Sequence, residues 1–145
     1  MEFVRIMKMP ACKMVSSGVG FFGDENFNRF ETFLKAQPDS FFPQDFLTGR
    51  DGGMEWLYFF REGMDTMGME VVDFPGGIYA VVCGIDGQSN SEEMAAVEEF
   101  LLNHNFEHDP SRPQGGAVVG GDEKTTEALG YEQMDYYIPI KIKEK

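Results

Sequence analysis

Alternation of apolar and polar positions predicts most of the strands in this chain. It is clearest from Met54 to Arg61, where every second side chain is Met, Trp, Tyr or Phe. Because successive side chains of a strand point to opposite faces, these large residues share one face of a sheet. Further strands are predicted at Phe3 to Val15 with a break at Pro10, and at Met69 to Phe74, Ile78 to Cys83, Ala117 to Val119 and Tyr131 to Ile142.

Apolar residues at helical spacing predict two helices. The first runs from Glu25 to Ala36, with Asp24 as its cap. The second runs to Asn103, and a capping box of Ser89 and Glu92 is predicted to start it. The segments predicted as loops are Ser16–Gly20, Phe41–Leu47 and most of Phe106–Gly121.

The predicted elements follow the order strand, helix, strand, strand, and this order occurs twice. The two halves meet near the turn Pro75-Gly76-Gly77, and no long linker separates them. We therefore predict a single α+β domain that spans residues 1–145 and is built from two strand–helix–strand–strand repeats.

The charge of the chain limits its partners. It has 145 residues, 25 acidic and 12 basic, for a formal net charge of −13. Such a surface repels phosphate backbones and attracts cations, so direct binding of DNA or RNA is not expected. No signal peptide is visible and no apolar run reaches the ~20 residues of a membrane helix, which predicts a cytoplasmic protein with no membrane partner. Cys12 and Cys83 fall in apolar runs and are expected to be buried free thiols.

Few side chains suit metal or nucleophilic chemistry. His104 and His108 are the two histidines, and at this spacing they could share a helix face. A zinc site would need a third ligand, for which Glu107 and Asp109 are poorly placed. The glycine pairs lack the lysine and the strand–helix context of a phosphate loop. We therefore predict neither a metal nor a cofactor.

The last predicted strand carries the first candidate for binding chemistry. Asp135 and Tyr137 are two residues apart, so they share one face of the strand. Aspartate is rare in strands, and a carboxylate among aromatic rings in a partly dry site suits an organic cation. The alternative is that Asp135 points to water.

The aromatic face of the strand from Met54 to Arg61 is the second candidate. Trp56 and Tyr58 have polar tips that need partners when they are buried, whereas leucine and valine would be simpler core residues. This face either lines a ligand pocket or packs as a core, and the sequence leaves both interpretations open.

Three segments in this order resemble a known family: Met9–Val15, then Met69–Val71 with Phe74–Val81, and finally Asp135–Lys141. Together they resemble the gyrase-inhibitor-like, effector-binding domains found at the C-terminus of some AraC- and MerR-type transcription regulators. The resemblance spans nearly the whole chain. The P-x-G-x-Y-A and Y-I-P-I-K pieces carry most of it.

The resemblance implies a cupped antiparallel sheet with helices on its outer face. It also implies that lipophilic cationic drugs or dyes bind among aromatic side chains around an acid. Asp135 stands at the acidic position, where many members have glutamate, and Glu55, Glu70 and Glu132 are competing acids. The residues predicted to bind the ligand are Trp56, Tyr58, Glu70, Tyr79, Asp135 and Tyr137.

The preferred function is a non-catalytic binding module for an aromatic, cationic small molecule. It would act alone or as the sensor part of a transcription regulator, with a DNA-binding domain or another protein as partner. No helix-turn-helix pattern is visible in the chain. As the resemblance implies, the alternatives are a hydrolase of cyclopropane-containing genotoxins and a protein that interacts with gyrase.

Overall fold

The computed structural model describes residues 3–38, 45–119 and 122–144. In this part of the chain all paired strands are antiparallel and helices pack against them, which confirms the predicted α+β class. The elements in chain order are β1 (Arg5–Met9), β2 (Cys12–Gly20), α1 (Glu25–Lys35), β3 (Asp45–Arg50), β4 (Gly53–Phe59), β5 (Glu70–Phe74), β6 (Gly77–Ile85), α2 (Ser91–Asn103), β7 (Phe106–His108), β8 (Gly115–Val118), α3 (Glu123–Leu129) and β9 (Gln133–Ile142).

The chain divides into two units. The middle unit is Pro10–Gly76, and the terminal unit combines the residues up to Met9 with those from Gly77 onward. The division falls at the predicted turn, but the first strand belongs with the second half of the sequence because β1 pairs with β6. That the 145 residues form one domain stays a prediction.

In the middle unit, α1 packs on one face of a sheet with the order β3-β4-β2-β5. The helix places Phe27, Phe30 and Phe33 in the core, where each is at most 1% exposed. These residues recur every three positions and so form one stripe of the helix. Burying three phenylalanine side chains contributes roughly 5–9 kcal/mol from the area removed from water.

Residues Ser16–Gly20 belong to β2, and the loop predicted there is wrong. The register with β4 shifts after Ser16, as in a β-bulge. Gly18 at the shift has a φ of 76°, a conformation that glycine adopts without strain. The Ser17 hydroxyl accepts a hydrogen bond from the Trp56 backbone N–H at 2.9 Å. A polar run with glycines can therefore continue a strand through an irregularity.

In the terminal unit, the strand order is β1-β6-β9-β8, and β7 pairs with the end of β9. Helix α2 covers one face of this sheet. Because side chains alternate, the even-numbered residues of β6 and β9 face α2 and the odd-numbered residues lie on the other face. The core under α2 consists of Val4, Ala80, Val82, Val97, Phe100, Leu101, Ile138 and Ile140.

The sequence pattern does not predict three of the elements, β3, β7 and α3. The loop predicted at Phe41–Leu47 lies partly outside the described residues, and its described end, from Asp45, is the start of β3. Helix α3 follows the glycine-rich segment, and the Asp122 carboxylate caps it by accepting from the Thr125 N–H at 2.9 Å. Strand β3 begins at Asp45, which follows Pro43-Gln44, and the α3 cap Asp122 follows Gly120-Gly121, a composition more typical of loops.

The predicted capping interactions are wrong in detail. Helix α2 begins after Asn90 and not at Ser89, and the Asn90 side chain makes no cap hydrogen bond. Asp24 does precede α1, but its carboxylate accepts instead from the Phe21 N–H at 2.9 Å. The longest described helix, α2, has 13 residues, and no helix in the described ranges is long and apolar enough to cross a membrane.

Candidate functional site

Trp56 and Tyr58 lie on the helix-packed face of the middle unit. The Trp56 ring is 5.8 Å from Phe27 and 5.2 Å from Phe30, measured between centroids. Tyr58 is buried and meets Phe33 edge to face at 5.6 Å. These are the contacts of a core between a helix and a sheet.

The polar tip of Trp56 is satisfied within the same unit. Its Nε1–H donates to Asp45 Oδ2 at 3.2 Å. A half-buried indole whose N–H is paired does not need a ligand to satisfy its donor. The packing therefore favours the core interpretation of the aromatic face, and the ligand-binding role of Trp56 and Tyr58 stays a prediction.

The opposite face of the middle unit carries the acids. Glu70, a predicted ligand-binding residue, is exposed at the first position of β5, opposite Ser16 in the register. Glu55, a competing acid in the sequence prediction, is buried on the same face and is paired with Arg50 at 2.9 Å. Of these two acids, Glu55 is the one with a water-poor surrounding.

Three predicted residues come together in the terminal unit: Tyr79, Asp135 and Tyr137 lie on the sheet face that points away from α2. The β6–β9 register places Cys83 opposite Asp135 and Val81 opposite Tyr137. The two tyrosine rings meet edge to face at 6.2 Å. We call this surface the Asp135 face, and its residues are Arg5, Met7, Tyr79, Val81, Cys83, Asp135 and Tyr137.

The Asp135 face has a buried floor and an accessible edge. Tyr79 and Tyr137, at 1% and 8% exposed, form the floor with Val81. Cys83 is exposed and Asp135 is half-buried beside it. The carboxyl group is therefore partly accessible to a molecule from solvent, beside the exposed Cys83.

The electrostatics of Asp135 follow from this position. Burial raises the pKa of its carboxyl group, and the positive charge of Arg5 and the thiol of Cys83 oppose the rise only in part. Burial, together with the Asp135 charge, also raises the pKa of Tyr137. In the described part of the chain Asp135 takes no part in an ion pair. Arg5 acts on Asp135 without forming an ion pair with it, so this half-buried acid can attract a further cation.

Arg112 closes one end of the Asp135 face. Its Nη2 donates to the carbonyl oxygens of Ile78 and Ile140 at 2.9 and 2.6 Å, and its Nε donates to Asp109 at 2.8 Å. Hydrogen bonds from Ser111 and Arg112 hold the pKa of Asp109 at about 2, so it stays ionised. The guanidinium thus bridges β6 and β9 where the two strands part.

The Arg112 guanidinium also lies over the Tyr79 ring, 4.8 Å from its centroid. Burial raises the pKa of Tyr79, and the Arg112 charge opposes the rise. The Tyr79 hydroxyl and Arg112 Nη1 are both buried without a hydrogen-bond partner among the described residues. Tyr79 is therefore a floor residue fixed by Arg112.

The two cysteines are free, as predicted, but Cys83 is exposed, so the prediction of burial is wrong for it. It faces the accessible edge of the Asp135 face because odd positions of β6 point away from α2. Cys12 is half-buried. Although the residue is exposed, partial burial of its thiol, followed by the charge of Asp135, raises the pKa of Cys83 and favours the protonated form.

The two histidines do not share a helix, because α2 ends at Asn103 and His108 lies in β7. His108 Nε2 contacts Glu98 at 2.5 Å, and no cluster of three metal-ligating side chains occurs in the described ranges. A cavity of about 450 Å³ lies here, on the helix side of the terminal unit, lined by residues of α2 and β7 with Lys143. Its lining mixes both charges with apolar groups and favours no single ligand class.

Several residues around these sites were absent from the predicted set. Arg112 lies in a loop, and nothing in its neighbours indicates that it reaches Tyr79. Cys83 takes its place from the β6–β9 register, which the sequence does not specify. Glu55 could have been ranked higher, because it alternates with Leu57 and Phe59 on one side of a clearly predicted strand.

The fold is similar to that of solved structures. SAV2435 bound to tetraphenylphosphonium superposes with a TM-score of 0.60 at 15% identity, over 97% of this chain and 94% of that one. A hydrolase from Listeria innocua superposes with a TM-score of 0.68 at 11% identity, over 95% of this chain and 91% of that one. A Staphylococcus aureus MU50 protein proposed to act in transcription regulation superposes with a TM-score of 0.52 at 15% identity, over 97% of this chain and 99% of that one.

These identities establish a common fold and nothing more specific. No protein-family model matches the sequence, and a search of curated proteins finds no match. The residues of the Asp135 face are therefore the basis for the function proposed below.

Proposed function

We propose that the protein binds a lipophilic organic cation at the Asp135 face. The observation that carries the proposal is the half-buried carboxyl group of Asp135, which has no ion-pair partner in the described part of the chain. An unpaired acid in a partly dry place is costly, and a ligand that supplies the missing charge recovers part of that cost.

The surroundings of Asp135 suit an apolar cation better than a strongly hydrated one. Tyr137 lies two residues from Asp135 on the same face, opposite Val81, so aromatic and apolar side chains adjoin the carboxyl group. Rings near a carboxylate attract cations through their negative faces. The net charge of −13 draws cations toward the protein over longer distances. The fold shared with a protein solved with tetraphenylphosphonium supports this ligand class.

The test is a calorimetric titration with tetraphenylphosphonium and with tetraphenylborate, an anion of nearly the same shape. We expect binding of the phosphonium and none of the borate. Asp135→Asn should weaken phosphonium binding by about 1–3 kcal/mol, the range for one charge partner in a partly buried site.

Arg5→Gln is the matched control for that titration, because it removes the opposite charge from the same face. The positive charge of Arg5 lowers the pKa of Asp135 and repels a cationic ligand. Removing that charge should therefore strengthen phosphonium binding by up to about 1 kcal/mol. If both tetraphenyl ions bind equally, or if neither variant changes the affinity for tetraphenylphosphonium, then apolar contact and not the charge of Asp135 governs affinity.

The pH dependence of binding supplies an independent check. Burial raises the pKa of Asp135, so the group is neutral at low pH and becomes a carboxylate as the pH rises through that value. Affinity for tetraphenylphosphonium should therefore increase with pH over a range that lies above the usual pKa of an aspartate. Asp135→Asn should give a flat profile over the same range. A wild-type profile that is flat as well would mean that another group supplies the charge.

A hydrolase is the second candidate function. A raised pKa on a carboxyl group next to a tyrosine is what general acid catalysis requires, and two solved structures of similar fold are hydrolases from Listeria innocua. Incubation with a reactive cyclopropane compound, followed by mass spectrometry, distinguishes the two functions. Turnover that Asp135→Asn abolishes would favour the hydrolase; binding without turnover would favour the binding module.

A further inference from the structure

The middle unit contains a buried carboxylate that the Asp135 face does not use. The Glu55 side chain is 7% exposed and lies on the face of β4 away from α1. Both of its oxygens accept from Arg50 Nη1, at 2.9 and 3.0 Å, and Oε2 also accepts from the Ser16 hydroxyl at 2.5 Å. A carboxylate this deep is stable only while donors surround it.

The two partners of Glu55 differ in how firmly they are held. The Ser16 hydroxyl donates to Glu55 and accepts from the Gly18 N–H at 2.9 Å, so it is fixed by the bulge of β2. Arg50 stands at the end of β3 with 53% of its side chain exposed, and Asp51 attracts the same guanidinium at 3.6 Å. Ser16 therefore keeps Glu55 oriented, whereas Arg50 can turn into water.

The Arg50 guanidinium therefore occupies a carboxylate site that Ser16 holds in place. Hydrogen bonding and charge attraction from Glu55 raise the pKa of Arg50, so the group stays charged at any pH the fold tolerates. When the guanidinium leaves, it opens the route from solvent to the carboxylate, because it is the exposed member of the pair. Leu57 and Phe59 share this face of β4 and border the site with apolar surface.

We propose that Glu55 is a second cation site, in the middle unit, which takes the amidinium or guanidinium group of an aromatic molecule by displacing Arg50. The chemical class of the ligand follows from the two Glu55 oxygens that lose their hydrogen bonds from Arg50 when it is displaced. They need planar N–H donors to replace the two hydrogen bonds of Nη1. A phosphonium has no N–H and would leave Oε1 unpaired, with the Ser16 hydroxyl still donating to Oε2. The two cation sites therefore select different ligands.

The test uses benzamidinium as the probe and the full chain as the protein. Arg50→Ala removes the guanidinium, and benzamidinium should then bind at least about tenfold more tightly than to the wild type and should raise the melting temperature. The double variant with Glu55→Gln should lose that gain. Lys13→Ala is the matched control, since it removes the cation of the exposed Lys13–Asp73 pair in the same unit, and should leave benzamidinium affinity unchanged.

Further titrations keep the outcomes separate. Neutral benzamide should not bind, and Asp135→Asn should not alter the gain produced by Arg50→Ala. Equal benzamidinium affinity in the wild type and in Arg50→Ala would overturn the proposal, as would a gain that survives Glu55→Gln. If Arg50→Ala does not fold, benzamidinium should restore its folding at millimolar concentration, and failure to do so would equally overturn it. Loss of phosphonium binding alone would concern only the Asp135 face.

Discussion

Trp56→Ala is expected to lower the free energy of unfolding by about 3 kcal/mol, near the lower end of the range for removing a large aromatic side chain from a core. The Trp56 ring packs on Phe27 and Phe30 of α1, and its N–H is paired with Asp45. Removing it leaves a cavity under the helix and an unpaired carboxylate. Urea unfolding followed by circular dichroism measures the loss, and the folded fraction should still bind tetraphenylphosphonium.

Trp56→Phe is the control, because it keeps an aromatic ring against the helix and removes only the N–H. We expect it to cost about 1 kcal/mol, the value of one hydrogen bond with some loss of packing. A Trp56→Ala variant with wild-type stability and no phosphonium binding would place Trp56 in a ligand site and would contradict the core assignment.

Gly77→Ala should destabilise the terminal unit by about 3 kcal/mol. Gly77 has a φ of 126°, and a Cβ atom there would stand 2.5 Å from Arg112 Nη1. The backbone strain costs about 1–2 kcal/mol, and pushing the guanidinium off its carbonyl partners costs a further 1.5–3 kcal/mol or so. Thermal and urea unfolding of the purified variant measure the total.

Gly87→Ala separates the two parts of that cost. Gly87 also has a positive φ, of 82°, but a Cβ atom there would meet nothing within 4 Å. Gly87→Ala should therefore lower the free energy of unfolding only by the backbone strain, about 1–2 kcal/mol. In an Arg112→Ala background, Gly77→Ala should also fall to that value. The same cost for Gly77→Ala with and without Arg112 would show that the guanidinium does not occupy the space next to Gly77.

The parts of the fold that depend on local spacing could be predicted from the sequence. The Phe27, Phe30 and Phe33 stripe specifies α1 because three-residue spacing places the rings on one side of a helix. The alternation from Met54 onward specifies β4 in the same way. In both cases the side chains that share a face are given by the backbone period alone.

Alternation does not say which face of a strand a helix will cover, and this is why Trp56 and Tyr58 could not be placed. On β4 both faces carry apolar residues, since Leu57 and Phe59 lie opposite the aromatic set. The choice is made by α1, whose phenylalanines fit against Trp56 and Tyr58. The face of β4 that becomes buried is therefore decided by packing between elements that are distant in sequence.

The candidate site was predictable to a similar degree. Two-residue spacing brings Asp135 and Tyr137 to one face, and the structure agrees. The position of Cys83 opposite Asp135 requires the β6–β9 register, and the pairing of Glu55 with Arg50 requires β3, a strand that the sequence pattern missed. Register and long-range pairing depend on the whole sheet, so no short window of sequence contains them.

The most direct test of the central claim is a crystal structure of the protein with tetraphenylphosphonium. We predict that the phosphorus atom lies at the Asp135 face, within about 4–6 Å of the Asp135 carboxylate, the distance over which an opposite charge acts strongly on an acid. A phosphonium in the cavity between α2 and β7, or anywhere else away from Asp135, would contradict the account. So would crystals soaked at a saturating concentration that contain no phosphonium.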